Sequence, residues 1–351
     1  MLGHAMAREK MPHAYLFVGI PGIGKTTTAL ALCQALNCEH PENGEGCGRC
    51  SSCRKMTGGN FPDLVVLEPD GQAIKIDQVR ALDRIFSYKA VAGRYRVTVI
   101  RQAETMTEEA ANAFLKTLEE PPPGNILVLT VTEPLDLLPT ILSRCQRVSF
   151  RPVPAALIEA WLVENQGIEK EKAFVPARMA AGSPGKALDM GKSDFLENRQ
   201  ELLFNLNRII HLLPQEVMEW ALAYSGKEKK DKKEAAVALL LSVWKTWYRD
   251  LLLTKAACPE EALINVDFSR ELKNASEHFT IDNLLKSFFV LDQAERDLMR
   301  SRNLDLLVET TVLKLKRLYG RGTKAREQRP ARRFEQDRGR STAQVRQSPE
   351  F

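Results

Sequence analysis

Short apolar runs alternate with segments of helical period along residues 15–150. This alternation is typical of a parallel α/β sheet, in which each strand is followed by a helix that crosses back over the sheet. The predicted helices include 26–36, 76–86 and EEAANAFLKTLEE, which is stopped by Pro121–Pro123. The predicted strands are 14–18, 63–67, 95–100, 125–131 and, closing the sheet, 147–150.

The strand pattern disappears after Arg151–Pro154. Residues 155–190 predict a small helical unit, and residues 195–320 predict a longer helical bundle. From residue 321 the chain is rich in Arg, Gln and Ser with few apolar side chains, so we expect a disordered basic tail there. The predicted organisation is an α/β core over 1–152, a small helical lid over 153–192, a helical domain over 193–320 and a tail over 321–351.

Composition and charge bear on nucleic-acid binding. The 351 residues are 44% hydrophobic and 27% charged, with a net charge of +5. Residues 322–351 hold eight basic and four acidic side chains, so this tail accounts for four of the five charges. The nearly neutral body argues against a large DNA-binding face, and a DNA-binding module that rests on the tail is a separate hypothesis. The aromatic stretch WKTWY, 244–248, lies in an apolar helical pattern and predicts core packing rather than base stacking.

The chain has no apolar run of membrane-spanning length and no opening signal peptide. We therefore expect a cytoplasmic protein with no membrane partner. In a reducing compartment, its seven cysteines are expected to be thiols or metal ligands rather than disulfides.

A glycine-rich loop follows the first predicted strand and opens the first helix. Its sequence, GIPGIGKT, matches the phosphate-binding pattern G-x-x-x-x-G-K-[ST] at every fixed position. Such a loop points backbone N–H groups at phosphate oxygens, while Lys25 reaches the terminal phosphates and Thr26 offers its hydroxyl to magnesium. The alternative is a loop kept for packing that holds no nucleotide. The candidate nucleotide-binding residues are Gly19, Gly22, Gly24, Lys25, Thr26 and Thr27.

The third predicted strand, YRVTVI, ends without the acidic residues that ATP-hydrolysing proteins with this loop use. Those acids hold magnesium and position the attacking water. Here Arg101 and Gln102 follow the strand, and Glu104 is the nearest acid. We expect ATP to be bound weakly or without hydrolysis.

Four cysteines lie close together just after the loop helix. Cys38, Cys47, Cys50 and Cys53 have the spacing C-x8-C-x2-C-x2-C in the Gly-rich segment NCEHPENGEGCGRCSSC. Four thiolates suit tetrahedral zinc, and a site with four protein ligands is closed to water and therefore structural. The alternatives are an iron–sulfur cluster, whose spacing is related, and unliganded thiols.

Arg144 lies just beyond an apolar helical turn, in TILSRCQ. An arginine at a domain edge is most often a surface charge. In nucleotide-driven rings the same position supplies an arginine finger to the γ-phosphate of a neighbouring subunit. Spacing alone leaves both interpretations open.

Several of these segments resemble the clamp-loader subunits of bacterial DNA polymerase III. They are PHAYLFVGIPGIGKTT, the four-cysteine insert, NAFLKTLEEPP, LPTILSRCQ and GSPGKAL, which span residues 12–190 in the order that the family has. The resemblance implies an AAA+ phosphate-loop core with a zinc module at 38–57 and a helical lid. It also implies, on weaker motifs, that residues 193–320 are a collar through which five subunits associate.

Two positions resemble the stationary delta-prime members of that family. The gamma or tau motors carry Asp-Glu where this chain has Arg101 and Gln102, and a nucleotide-sensing arginine where it has Gly185. The resemblance implies a largely non-hydrolysing stator whose Arg144 acts in trans on a neighbour's nucleotide. It also implies a hetero-pentamer with motor and delta subunits, which meets the sliding clamp and primed DNA through the complex.

An active motor subunit of the gamma or tau type is the alternative, with Glu104 in place of the missing acids. The start of the chain also bears on nucleotide binding, since only about a dozen residues precede PHAYLF. Relatives have a longer stretch there that helps to enclose the adenine. Either the start is truncated or the adenine pocket is incomplete, and both weaken the case for tight ATP binding.

Overall fold

The computed structural model describes residues 2–7, 11–42, 44–209, 211–225, 230–298 and 303–327. The chain divides into two compact units, residues 1–197 and residues 198–351. The finer division of the first unit into a core and a lid stays a prediction.

Five parallel strands form the sheet of the first unit, in the spatial order second, third, fourth, first and fifth. The fifth strand closes the sheet beside the first, as the sequence predicts. Predicted and observed strand ends differ by at most one residue. Because the strands are parallel, the loops after the first, third and fourth strands meet at one edge. The strands are β1 (Ala14–Val18), β2 (Leu64–Leu67), β3 (Arg96–Ile100), β4 (Asn125–Val131) and β5 (Gln146–Ser149).

Helices cover both faces of this sheet, so its central strands are apolar on both sides. Leu16 of β1 packs in one core with Val79 and Phe114, whereas its neighbour Phe17 packs in the opposite core with Leu32. The α/β sheet predicted from the sequence is thus present. The helices of this part are α1 (Leu2–Ala7), α2 (Lys25–Leu36), α3 (Ser51–Thr57), α4 (Ile76–Phe86), α5 (Glu108–Glu119) and α6 (Pro139–Leu142).

Three further helices complete the first unit and enclose a small core of their own. Ile158 and Leu162 of the first helix pack there against Ala173 and Ala177 of the second and Ala187 of the third. This core is separate from the two cores that cover the sheet. The helices are α7 (Ala155–Gln166), α8 (Lys170–Met179) and α9 (Pro184–Lys192).

All secondary structure in the described residues of the second unit is helical. The aromatic stretch at 244–248 lies in its core, as predicted: Trp244 and Tyr248 are fully buried, and Trp244 Nε1 donates to the Leu202 carbonyl over 3.1 Å. The helices are α10 (Phe195–Ile209), which begins in the first unit, α11 (Pro214–Ser225), α12 (Lys230–Lys255), α13 (Ser269–Ser276), α14 (Ile281–Leu298) and α15 (Leu304–Glu327).

The last helix corrects the predicted start of the disordered tail. Helix α15 continues to Glu327, so residues 321–327 are helical rather than disordered. The remainder of the predicted tail, 328–351, lies outside the described residues. In the parts of the chain that the structure describes, no helix combines the length and the apolar character needed to cross a membrane.

Candidate functional site

The glycine-rich loop joins β1 to α2 and surrounds the Lys25 ammonium group. Gly22 and Gly24 have φ angles of +74° and +103°, which favour glycine, and Gly24 stands at the N-terminal end of α2. Lys25 Nζ donates to the Gly19 carbonyl and, over 3.1 Å, to the Ile20 carbonyl. The loop thus has the shape that phosphate binding requires, with its lysine inside the curve.

A cleft of about 580 Å³ opens beside this loop. The predicted residues Gly22, Gly24, Lys25, Thr26 and Thr27 line it, whereas Gly19 contributes only its bond to Lys25. Apart from position 185, to which the family resemblance pointed, the sequence did not indicate the contribution of the helices after the sheet, which supply four lining residues. These are Trp161, Pro184, Gly185 and Leu188.

Three side chains of the segment after β3 line the cleft: Arg101, Gln102 and Glu104. Arg101 forms an ion pair with Glu68, and Gln102 adopts a left-handed φ of +51°. Glu104 Oε1 accepts a bond from the Thr132 N–H over 3.1 Å, while its buried Oε2 has no hydrogen-bond partner among the described residues. Burial lowers the pKa of Lys25, and the charge of Glu104 opposes that shift. Glu104 is therefore the carboxylate that acts electrostatically on the loop lysine.

The start of α9 is bonded directly to the phosphate loop. Buried Ser183 donates from Oγ to the Pro21 carbonyl over 2.9 Å, and the Gly185 N–H donates to the Gly22 carbonyl over 2.9 Å. A Cβ atom on Gly185 would lie 2.9 Å from the Gly22 carbonyl oxygen. A side chain at 185 therefore requires α9 and the loop to separate, which gives the glycine there a packing reason.

The four predicted cysteines form one cluster. Their sulfur atoms all lie within 4.8 Å of one another, and Cys38 Sγ lies 3.9 Å from Cys50 Sγ. Backbone N–H groups also point at the sulfurs: the N–H of Cys47 donates to Cys38, and the N–H of Cys53 donates to Cys50. The cluster can therefore bind a metal ion.

The geometry of the cluster fits a tetrahedral thiolate site. Zinc–sulfur bonds of about 2.3 Å put tetrahedral sulfurs about 3.8 Å apart, close to the distance between Cys38 and Cys50. Backbone N–H groups, of Glu39 first and then Cys53, lower the pKa of Cys50 to about 6. N–H donors that stabilise negative sulfur favour the thiolate that a metal binds.

Arg144 follows the single turn of α6, is half-buried, and does not line the cleft beside its own loop. Its Nη2 donates to Glu119 Oε1 over 2.7 Å, and its Nη1 donates to the Thr140 carbonyl over 3.0 Å. Its side chain is 35% exposed. The guanidinium thus lies outside the chain's own cleft.

Comparison with known proteins gives a consistent group of relatives. The family described as "DNA polymerase III, delta subunit" matches residues 1–154. DNA polymerase III subunit delta' of Bacillus subtilis (strain 168) is 31% identical over 322 residues, which cover 90% of this chain and 94% of that relative. DNA polymerase III subunit tau of the same organism is 26% identical over 333 residues, which cover 90% of this chain and 59% of that relative.

Among solved structures, a DNA polymerase III gamma subunit-related protein from Thermotoga maritima is also similar. It matches with a TM-score of 0.46 and 19% identity, covering 91% of this chain and all of that one.

Proposed function

The chain belongs to the family of DNA polymerase III delta' subunits, and on that premise we propose that it is a clamp-loader subunit. In this role it is a largely non-hydrolysing stator that helps a ring of subunits open the sliding clamp and load it onto primed DNA. The first unit then corresponds to an AAA+ core over 1–152 with a lid over 153–192, and residues 193–320 form the collar that joins the ring.

The stator assignment rests mainly on the residues that follow β3. A phosphate loop with its lysine in position is retained, yet Arg101 and Gln102 occupy the positions of the motor acids. Arg101 is engaged by Glu68, so a cation stands where magnesium needs a carboxylate. This combination supports a subunit whose fold matters to the ring while its own hydrolysis is dispensable.

The rival function is an active motor of the gamma or tau type, and Glu104 is the residue that favours it. Its buried Oε2, which has no hydrogen-bond partner among the described residues, and its electrostatic effect on Lys25 give the cleft one carboxylate near the loop lysine. Against this, the Thr132 N–H holds Glu104 Oε1 over 3.1 Å, three positions beyond Arg101. Phosphoryl transfer depends on accurate positioning of magnesium and water, which one displaced acid does not provide.

We expect the isolated chain to show no ATP hydrolysis above background, because the cleft lacks the acids that hold magnesium and orient water. A steady-state phosphate-release assay with the purified protein checks this. Lys25→Ala is the matched control, since a contaminating ATPase is indifferent to it. Hydrolysis that Lys25→Ala abolishes would move the protein to the motor class.

The proposed partners are the motor subunits and the delta subunit in a hetero-pentamer, with the clamp and DNA reached through the assembly. We expect the tagged full chain to co-purify with both partner types as one complex when all are co-expressed. Size-exclusion chromatography with subunit quantification measures this. Elution of the chain alone, with motor and delta subunits assembled without it, would refute the clamp-loader assignment.

We also propose that Cys38, Cys47, Cys50 and Cys53 bind one structural zinc ion. The support is four clustered sulfurs with tetrahedral spacing and a ligand set that leaves no position for water. Bound there, zinc would hold the segment 38–57 together and would supply no catalytic chemistry. An iron–sulfur cluster is the competing outcome, and elemental analysis separates the two.

A further inference from the structure

The Arg144 side chain forms an ion pair with Glu119. Arg144 Nη2 lies 2.7 Å from Glu119 Oε1, and Nη1 donates to the Thr140 carbonyl and, over 3.3 Å, to Ser143 Oγ. Glu119 is the last residue of α5, 25 positions earlier in the chain. One side of the guanidinium is therefore occupied by acceptors that belong to the first unit.

The backbone beneath Arg144 is anchored in the core. Ile141 in α6 is fully buried, and the Arg144 N–H donates to the Ile141 carbonyl over 3.1 Å. Glu119 stands at the C-terminal end of α5, where the helix dipole already favours a nearby cation. The backbone of each partner thus belongs to an ordered part of the fold: Glu119 to the end of α5, and Arg144 to the turn after α6.

The remaining donors of the guanidinium are directed elsewhere. Arginine has five N–H donors, and the bonds to Glu119, Thr140 and Ser143 leave the Nε–H and one Nη2–H without an acceptor among the described residues. Two donors on a planar group suit a phosphoryl oxygen or a pair of them. Arg144 can therefore bind an outside anion while Glu119 still holds it.

We propose that Glu119 is a positioning residue that holds the Arg144 guanidinium in the orientation needed for a neighbouring subunit's nucleotide. This inference rests on the proposed function, in which Arg144 acts in trans. Exposed ion pairs contribute little to folding stability, so a stabilising role does not account for the contact. Restricting a long, flexible side chain to one direction does matter for a group that must meet a transferring phosphoryl group.

The test is Glu119→Gln in the complete reconstituted complex, assayed for DNA-stimulated ATP hydrolysis. We expect kcat of the dependent site to fall by about tenfold with little change in KM for ATP, because orientation and not nucleotide affinity is lost. Glu119→Asp, which keeps the charge, should recover part of the rate. Glu120→Gln is the matched control, since Glu120 is the adjacent exposed acid at the end of the same helix. Full activity of Glu119→Gln, or an equal loss in Glu120→Gln, would overturn the proposal.

A double variant separates this inference from the proposed function. If Glu119 works through Arg144, Glu119→Gln combined with Arg144→Ala should be no slower than Arg144→Ala alone. If the rate losses of the two single variants instead multiply in the double variant, Glu119 acts independently of Arg144. That result would overturn this inference and leave the role of Arg144 unchanged. Unchanged hydrolysis in Arg144→Ala would instead sink the action in trans and the positioning role with it.

Discussion

Replacing Arg144 by alanine is expected to lower ATP hydrolysis at the adjoining subunit's site by about 10³-fold or more. A guanidinium that reaches the γ-phosphate from a neighbour stabilises the charge that develops during phosphoryl transfer. Arg144 is suited to this because its half-buried side chain does not line the cleft of its own chain and keeps two N–H donors without an acceptor among the described residues. Folding, metal content and assembly should be unchanged, since the lost contacts lie at the surface.

Rapid-quench measurement of phosphate release by the complex on primed DNA and clamp checks this result. The first-turnover burst should lose the amplitude of one site. Arg144→Lys should recover little, because lysine lacks the planar fork. Arg49→Ala is the control, since Arg49 is also an arginine paired with an acid, Glu42. A wild-type burst in Arg144→Ala would make Arg144 a surface charge and remove the main mechanistic support for the stator assignment.

Replacing Cys50 by serine is expected to abolish metal binding and to unfold the segment 38–57. Structural zinc sites contribute apparent binding free energies of about 10–16 kcal/mol, which are coupled to folding of the surrounding loop. Cys50 is buried, its sulfur lies next to Cys38, and it also stands at the start of α3. Serine can still cap the start of α3 through its hydroxyl oxygen, so the change removes the sulfur and leaves the helix start intact. The sheet and the second unit have their own cores and should remain folded.

Elemental analysis of the freshly purified protein gives the first measurement, with one zinc per wild-type chain and a value near zero for Cys50→Ser. Limited proteolysis gives the second, with new cleavage confined to the segment 38–57. Cys258→Ser is the matched control. Because Cys258 lies outside the cluster, this variant should bind as much metal as the wild-type protein. Wild-type protein with no metal would contradict the zinc proposal, and iron in place of zinc would replace it with a redox-type cluster.

The sheet could be predicted closely because its evidence is local. Apolar residues on both faces of β1, β3 and β4 reflect burial of the whole strand, and period-3.6 patterns mark the helices between them. The start of the tail was predicted too early. Residues 321–327 have a polar, Arg-containing composition that resembles a disordered segment, but they form the last part of α15.

The four-cysteine cluster was also predictable, because three of its cysteines fall within Cys47–Cys53 and a short loop brings close neighbours together. The cleft was only half predictable. Its loop residues belong to a recognisable pattern, whereas Trp161 and Gly185 reach it from helices that follow the sheet. The family resemblance pointed to position 185, but no local pattern in the sequence marks Trp161, which joins the site across more than a hundred positions.

The sequence by itself determined the strand and helix order, the glycine-rich loop, the absence of acids at 101 and 102, and the four-cysteine cluster. These follow from periodicity and from short-range spacing, which the backbone converts directly into geometry.

Only the tertiary structure decided which charged groups are buried and which distant groups meet. Asp63 and Arg96 are charged residues within predicted strands. The structure buries both, and Asp63 accepts bonds from the backbone N–H groups of 91–93. Likewise, the bond of Ser183 to the phosphate loop and the pairing of Arg144 with Glu119 depend on how whole elements pack. Such contacts form only when elements distant in the chain pack together around the cores. A local sequence pattern does not contain that information.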